Sequence, residues 1–217
     1  MFLKPNDRIA FFGDSITEWG RLYPAPYHHY GMGFSYAAVA FMMLSQRYPG
    51  MGWQFFNRGV SGNRVADLLA RLDPDVVSLH PNVVSILIGV NDVIRAFDNN
   101  EGRTVEQFEA EYRRLLTEVR EKTSARLIVI EPFLLDFSER FRQMRRELNP
   151  RIDAIRALAR AFGALYIPFN GPLAVACCRG PVSMWTDDGV HLLPPGQGLL
   201  AEVWMDAVLH DNDGGNK

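Results

Sequence analysis

A serine near the N-terminus and an aspartate–histidine pair near the C-terminus have the types and spacing that nucleophilic chemistry requires. Ser15 follows Gly13-Asp14 at the end of an apolar run, and Asp188 precedes His191 by three residues in a glycine-containing segment. A serine hydroxyl becomes a nucleophile when a histidine accepts its proton and a carboxylate orients that histidine. Together the three side chains could support attack on a carbonyl carbon, with Ser15 as the nucleophile, His191 as the base and Asp188 as the orienting carboxylate.

These residues also have simpler interpretations. Asp14 and Ser15 are types favoured at helix N-caps and turns, so Gly-Asp-Ser alone indicates capping as readily as catalysis. Asp187 competes with Asp188 for the histidine, but its spacing of four suits a helix better than a loop that contains glycine. We therefore expect Asp188 to contact His191, and Asp187 to be a solvated or turn residue.

An acyl-transfer site also needs donors for the negative charge that develops on the carbonyl oxygen. Gly62 can offer a backbone N–H at close approach, because it has no Cβ. Asn91, in a Gly-x-Asn-Asp segment, can offer a side-chain amide. Together with the backbone N–H of Ser15, these groups would form an oxyanion hole with three donors.

The elements that would position these groups are buried strands alternating with helices. Five segments are apolar at successive positions, as in a parallel sheet covered on both faces: 9–13, 53–57, 83–89, 127–132 and 165–169. This alternation predicts a doubly wound α/β/α sandwich, in which ligands bind at the carboxyl ends of the strands. Ser15, Gly62 and Asn91 follow the first three strands and are therefore expected on one rim.

Helical spacing of apolar residues fills several of the connections between the strands. The predicted helices cover 34–48, 65–72, a segment opened by a capping box at Thr104, 138–162 and 195–209. The helix at 138–162 contains Asn149-Pro150. We expect it to break there into two helices, because proline lacks a backbone donor and clashes with the preceding turn.

Length and composition predict one globular domain. The 217 residues suffice for one large α/β domain, expected over 1–211 with a polar tail at 212–217, and a net charge of −2 suggests no nucleic-acid partner. The first residues lack the apolar core of a signal peptide, and no apolar run approaches the roughly 20 residues of a membrane span. We therefore expect a cytoplasmic protein without a membrane partner, and the sequence leaves a homo-oligomer open.

Two further segments have no assigned role. Cys177 and Cys178 are adjacent, which disfavours a mutual disulfide, and neither a Cys-x-x-Cys spacing nor a nearby histidine indicates a metal or redox site. The insertion at 20–33 is rich in Tyr, Pro and Gly. It is equally consistent with a wall of the substrate site and with a surface loop.

The motifs together resemble the sequence blocks of the SGNH (GDSL) hydrolases: Gly-Asp-Ser15, Gly62, Gly89-x-Asn91-Asp92 and Asp188-x-x-His191. This resemblance implies a flavodoxin-like order of five parallel strands, and ester hydrolysis without a metal or another cofactor. The segments around Gly62 and Asn91 are similar to those of bacterial xylan acetylesterases. One departure is Leu192-Leu193-Pro194-Pro195, because such relatives usually have a proline directly after the histidine; it concerns the shape of the leaving-group side.

The resemblance implies a serine esterase that removes acetyl groups from xylan-derived or other saccharides. Trp19, Arg64 and Trp185 lie in segments expected to flank Ser15, where indole faces and hydrogen-bonding groups suit a sugar better than an alkyl chain. The enzymatic alternative is a lysophospholipase or thioesterase of the same family. A non-catalytic flavodoxin-like module that binds an anion at the Gly-Asp-Ser loop is a remoter alternative, because such a module needs no serine–histidine–aspartate set.

Overall fold

The computed structural model of the chain describes residues 1–22, 29–99 and 102–210. Five parallel strands form its central sheet: β1 (Arg8–Gly13), β2 (Gln54–Gly59), β3 (Val83–Leu87), β4 (Arg126–Ile130) and β5 (Leu165–Ile167). Their order in the sheet is β2-β1-β3-β4-β5. The expected fold class is therefore confirmed. The predicted tail and residues 23–28 of the predicted insertion lie outside the described residues.

The central strands are buried on both faces, as their continuous apolar sequences predict. Ile9, Ala10, Phe11 and Phe12 of β1 have no exposed surface. Successive side chains of a strand point to opposite faces, so Phe11 and Phe12 belong to the two separate cores on either side of the sheet.

Helices cover both faces of the sheet. They are α1 (Ser15–Glu18), α2 (Tyr36–Arg47), α3 (Val65–Ala70), α4 (Leu72–Asp75), α5 (Val90–Asn99), α6 (Val105–Thr123), α7 (Glu139–Ala161), α8 (Asn170–Arg179) and α9 (Pro194–His210). Apolar residues of α2 and α9 pack with Phe11 on one face, and those of α3 and α6 pack with Phe12 on the other. No helix in the described part of the chain is long and apolar enough to cross a bilayer.

The expected break at Pro150 was wrong, because α7 continues through this proline. Proline inside a helix costs about 3 kcal/mol or more, chiefly through the lost hydrogen bond and the ring clash. Pro150 and Arg146, whose carbonyl loses its partner, both lie on the exposed side of the helix, where water can solvate that carbonyl. On the opposite side, Leu148 and Ile152 are buried on either side of the proline and hold the helix on the core.

The sheet register places the ends of three strands side by side. Gly13, the last residue of β1, pairs with Gly59 of β2 and with Leu87 of β3. The segments that carry Ser15, Gly62 and Asn91 therefore leave the sheet from neighbouring positions on one rim.

Candidate active site

Ser15 is presented by a tight strand-to-helix turn. A Cβ on Gly13 would overlap the carbonyl oxygen of Leu87, so a larger residue would separate β1 from β3. The Asp14 side chain caps α1 by accepting a hydrogen bond from the backbone N–H of Ile16 at 3.0 Å. Ser15 is the first residue of this helix, and its backbone N–H has no hydrogen-bond partner in the part of the chain described. Capping and presentation of the serine are thus two roles of one turn.

Ser15, His191 and Asp188 form a hydrogen-bonded chain. The Ser15 Oγ lies 2.8 Å from His191 Nε2, and His191 Nδ1 lies 2.5 Å from Asp188 Oδ2. A carboxylate only accepts hydrogen bonds, so the proton of neutral His191 belongs on Nδ1, and Nε2 is left free to accept from the serine. This geometry allows His191 to take the proton of Ser15.

The second oxygen of Asp188 holds the loop that carries the pair. Asp188 Oδ1 accepts hydrogen bonds from the backbone N–H groups of Val190 and His191, at 2.8 and 2.7 Å. Partial burial alone raises the pKa of Asp188, but the hydrogen bonds from the His191 ring and these two N–H groups outweigh burial and lower the pKa below its ordinary value. Asp188 is therefore ionised at neutral pH and can stabilise an imidazolium.

The turn at 60–63 leaves one N–H group unused. The Val60 N–H donates to the Gly13 carbonyl at 3.0 Å, the Ser61 N–H to Glu18 Oε2 at 2.5 Å, and the Asn63 N–H to the Val60 carbonyl at 3.2 Å. The Gly62 N–H donates to no group among the described residues, and the positive φ of 75° favours glycine there. One backbone donor of this turn is therefore free for a ligand.

Asn91, in the first turn of α5, is fixed to the same turn. One N–H of its side-chain amide donates to the Asn63 carbonyl at 3.1 Å, and its second N–H is free to donate elsewhere. The three groups expected to form the oxyanion hole thus belong to segments that are hydrogen-bonded to one another. They are the backbone N–H groups of Ser15 and Gly62 and the Asn91 amide.

A cavity of about 370 Å³ opens beside Ser15 and His191. Its other lining residues are Glu18, Trp19, Gly20, Ser61, Asp187, Asp188, Leu192 and Leu193. Trp19 thus lies where a substrate contact was expected. Asp187 also lines the cavity, but the carboxylate bonded to His191 belongs to Asp188.

Arg64 and Trp185 are not among the described residues that line this cavity. Arg64 precedes α3, where its Nε lies 3.3 Å from Asp67 Oδ2. Trp185 packs against the core and lines a different groove with Pro172 and Leu199. These two expected substrate contacts are therefore absent from the described lining of the cavity, and their side chains pack against the core and the start of α3 instead.

Several side chains that support the site were not singled out by sequence reasoning. Asn57, only 2% exposed within β2, donates to the carbonyls of Thr17 and Met32 at 2.7 and 2.9 Å. Thr186 Oγ1 accepts from the Gly189 N–H at 2.8 Å, which tightens the loop of Asp188. A polar residue ending an apolar run, and a threonine two residues before an aspartate, are the signals that could have identified them.

Two buried aspartates beside the site have raised pKa values. Burial raises the pKa of Asp14 to about 7, although the Ile16 N–H and the His191 ring counteract it. Burial likewise raises the pKa of Asp92 to about 7, and the nearby Glu111 adds to this effect. One carboxylate oxygen of each aspartate has no partner within the described residues, so ionisation of either group is unfavourable.

Comparisons with known proteins found one matching family and several similar structures. The model of the GDSL-like Lipase/Acylhydrolase family matches residues 11–199. An acetylxylan esterase from Geobacillus stearothermophilus is 32% identical over 215 residues, which cover 94% of this chain and 95% of that protein. A putative GDSL-like lipase from Parabacteroides merdae has a similar structure, with a TM-score of 0.90, 31% identity and coverage of 95% of this chain and 97% of its own. Catalytic mutants of the G. stearothermophilus esterase Axe2 include alanine replacements of a serine, an aspartate and a histidine, and the serine mutant has a TM-score of 0.88, 28% identity and 96% coverage of each chain.

Proposed function

Because the chain belongs to the GDSL-like lipase/acylhydrolase family and is a hydrolase of carboxylic esters, we propose that it deacetylates acetylated saccharides, with Ser15 as the nucleophile. The observation that carries the proposal is the hydrogen-bonded chain from Ser15 Oγ through His191 to Asp188. The three residue types are the ones replaced in the catalytic mutants of the related acetylxylan esterase, which supports the same roles here.

The proposed reaction has two halves. In the first, Ser15 Oγ attacks the acetyl carbon while His191 Nε2 accepts the hydroxyl proton, and the imidazolium then gives that proton to the departing sugar oxygen. In the second, His191 deprotonates a water that attacks the acetyl-serine, and His191 then gives this proton to Ser15 Oγ as the bond between Oγ and the acetyl carbon breaks and acetic acid leaves. In both halves the negative carbonyl oxygen would accept from the N–H groups of Ser15 and Gly62 and from the Asn91 amide.

The cavity supports a sugar as the alcohol part of the ester. Glu18 and Asp187 provide carboxylates that can accept hydrogen bonds from sugar hydroxyls, and Trp19 provides a face on which sugar C–H groups can pack. The similarity to an acetylxylan esterase supports acetylated xylan fragments as the first substrates to test.

A lysophospholipase or thioesterase is the second candidate, for which two observations speak. The similar solved structures include a putative GDSL-like lipase, and Leu192 and Leu193 give the cavity an apolar part. Such an enzyme would need room for a long acyl chain.

A series of p-nitrophenyl esters, assayed beside acetylated xylose, tests the proposal. We expect acetate to be preferred over butyrate and octanoate to be nearly inert, with about 10-fold or more lost in kcat/KM for each methylene that does not fit. Ser15→Ala should abolish hydrolysis of every ester. Ser78→Ala changes an exposed serine that does not line the cavity, and it should leave hydrolysis unaffected. Equal or higher kcat/KM on octanoate would favour the second candidate, and full activity in Ser15→Ala would contradict both.

A further inference from the structure

Arg71, directly after α3, makes hydrogen bonds to several segments of the rim. Its Nε donates to Asn63 Oδ1 at 2.6 Å, and Nη2 donates to the Gly13 carbonyl at 2.9 Å. Nη1 donates to the Arg58 carbonyl at 2.8 Å and to Asp75 Oδ2 at 2.6 Å. One guanidinium therefore joins the end of β1, the end of β2 and the turn at 60–63.

These acceptors are close in the chain to the expected oxyanion donors. Gly13 lies two residues before Ser15, and Asn63 follows Gly62 directly. The Asn63 carbonyl also accepts the hydrogen bond of the Asn91 amide. Through Gly13 and Asn63, Arg71 thus links all three segments that carry the donors.

The guanidinium is suited to this position in a way that other cations are not. Its planar fork carries five N–H donors in fixed directions, whereas a lysine ammonium has three donors on a flexible stem. The Arg71 side chain is only 16% exposed, and its guanidinium carbon lies 4.5 Å from the centre of the Phe12 ring. Burial lowers the pKa of Arg71 from its high ordinary value, and the bonded Asp75 counteracts this.

We propose that Arg71 is a positioning residue that sets the spacing of the Ser15 N–H, the Gly62 N–H and the Asn91 amide. It touches no substrate, and it acts through the Gly13 carbonyl and the Asn63 side chain. The inference rests on the proposed function, because the spacing matters only if an oxyanion forms between these donors. A small displacement of such donors weakens the transition state more than the bound ester.

Arg8 provides a matched control at the opposite end of β1. Its Nε also donates to a backbone carbonyl, that of Leu79 at 2.7 Å, and its guanidinium carbon lies 4.9 Å from the centre of the Phe56 ring. Arg8→Lys therefore removes a similar set of contacts far from the rim. It measures the part of the effect that is due to lost stability alone.

The test compares Arg71→Lys with Arg8→Lys and the wild type in kcat, KM and inhibition. Phenylboronic acid is the inhibitor, because Ser15 Oγ would bond to boron and the tetrahedral boronate would place a negative oxygen among the donors. For Arg71→Lys we expect kcat on p-nitrophenyl acetate to fall by roughly 10- to 100-fold with KM nearly unchanged, and boronate affinity to fall by a similar factor. Arg8→Lys should change both quantities by less than about 3-fold.

A second variant keeps the proposal testable if Arg71→Lys folds poorly. Asn63→Ala removes one acceptor of Arg71 and leaves the bonds to the Gly13 and Arg58 carbonyls, so kcat should fall by roughly 5- to 10-fold with KM unchanged. In the double variant the two effects should be less than additive, because both act through one contact. Unchanged boronate affinity in Arg71→Lys, a loss confined to KM, or an equal loss in Arg8→Lys would overturn the proposal. A wild type that leaves p-nitrophenyl acetate intact would instead contradict the proposed function.

Discussion

Ser15, Gly62 and Asn91 come from the ends of three paired strands, whereas Asp188 and His191 come from a single loop at 186–192. On the strand side, the bonds join residues far apart in sequence, such as the Arg71 guanidinium and the Gly13 carbonyl, which are 58 residues apart. In the loop, the bonds around Asp188 span two or three residues. A longer-range hydrogen bond, from the Leu135 N–H to the Gly189 carbonyl at 2.9 Å, ties the loop to the segment after β4.

Burial differs between the two regions in the same way. Asp14 and Asn57 on the strand side are 0% and 2% exposed, whereas the side chains of Asp188 and His191 are 46% and 50% exposed. The side chains that support the strand-side donors are therefore part of the core, and a change there should affect both stability and activity. In the loop, Asp187 and His191 are exposed, so a change of either side chain should affect activity with little loss of stability.

The largest expected effect comes from the loop. His191→Ala should lower kcat by roughly 10⁴- to 10⁶-fold, as much as Ser15→Ala, because the members of a triad act as a unit. Asp188→Ala should reduce kcat less, and Asp187→Ala least of all. Melting temperatures of His191→Ala and Asp187→Ala should stay within about 2 °C of the wild type, because exposed side chains contribute little to stability. Asp188→Ala should melt lower than these two, because it also removes the acceptor of the Val190 and His191 N–H groups.

The two aspartates serve as controls for each other. Both lie at the cavity and both are exposed, but only Asp188 is bonded to His191. Steady-state kinetics and thermal melts of the single variants are the measurements. A larger loss of kcat in Asp187→Ala than in Asp188→Ala would assign the roles the other way round, and a large melting shift in Asp187→Ala would contradict the contrast between the two regions.

A smaller effect on activity is expected from Asn91 on the strand side. Asn91→Ala should lower kcat by roughly 10²- to 10³-fold with little change in KM, since the amide would act on charge present only in the transition state. Unlike the loop variants, it should also reduce the free energy of unfolding by about 0.5–1.5 kcal/mol, because the Asn63 carbonyl loses its donor.

Asn82→Ala is the matched control for this amide. Asn82 precedes β3 at the opposite end, where its side-chain oxygen accepts the Arg8 N–H at 2.9 Å. The Asn82→Ala variant should lose about as much stability as Asn91→Ala but keep the kcat of the wild type. An Asn91→Ala enzyme with a changed KM alone would make Asn91 a substrate-binding residue.

The same contrast explains what could be predicted from the sequence. The strands and the position of Ser15 were predictable, because burial on both faces gives continuous apolar runs and the polar residue after the run must lie at the strand end. The pairing of Asp188 with His191 was also predictable, because the contact spans three residues. Local patterns thus sufficed wherever the geometry was local.

Side chains that depend on distant packing were not predictable in this way. Trp185 and Arg64 are close in sequence to residues expected on the rim. In the fold, however, Trp185 packs against the core and Arg64 is held at the start of α3. Arg71 looks like any charged residue at the end of a helical pattern, because its acceptors are brought to it only by the fold. Pro150 was misjudged for the same reason, since packing on the core outweighs local helix preference.

A change at Asp92 is expected to have the smallest effect on activity and to alter stability instead. Asp92 is a strand-side carboxylate whose pKa is shifted in the opposite direction to that of Asp188. Burial raises the folded-state pKa of Asp92 to about 7 from an unperturbed 3.8. Between these two values the folded chain keeps a proton that the unfolded chain has lost, so the contribution of Asp92 to stability falls as pH rises from about 4 to about 7 and then stays constant. For Asp188, whose folded-state pKa is lowered, the contribution is present above the unfolded pKa and is lost as pH falls.

Asp92→Asn removes the buried ionisable group but keeps an acceptor for the Val65 N–H, because the amide retains one oxygen. At about pH 8 the variant should be more stable than the wild type by on the order of a few kcal/mol, and the difference should shrink as pH falls and vanish below about pH 3, where Asp92 is protonated in both states. Thermal melts across this range measure the difference, with Asp206→Asn as a control that changes an exposed aspartate on α9. A difference that does not change with pH, or one that grows towards acid, would show that burial of the strand-side carboxylate is not what separates the two regions.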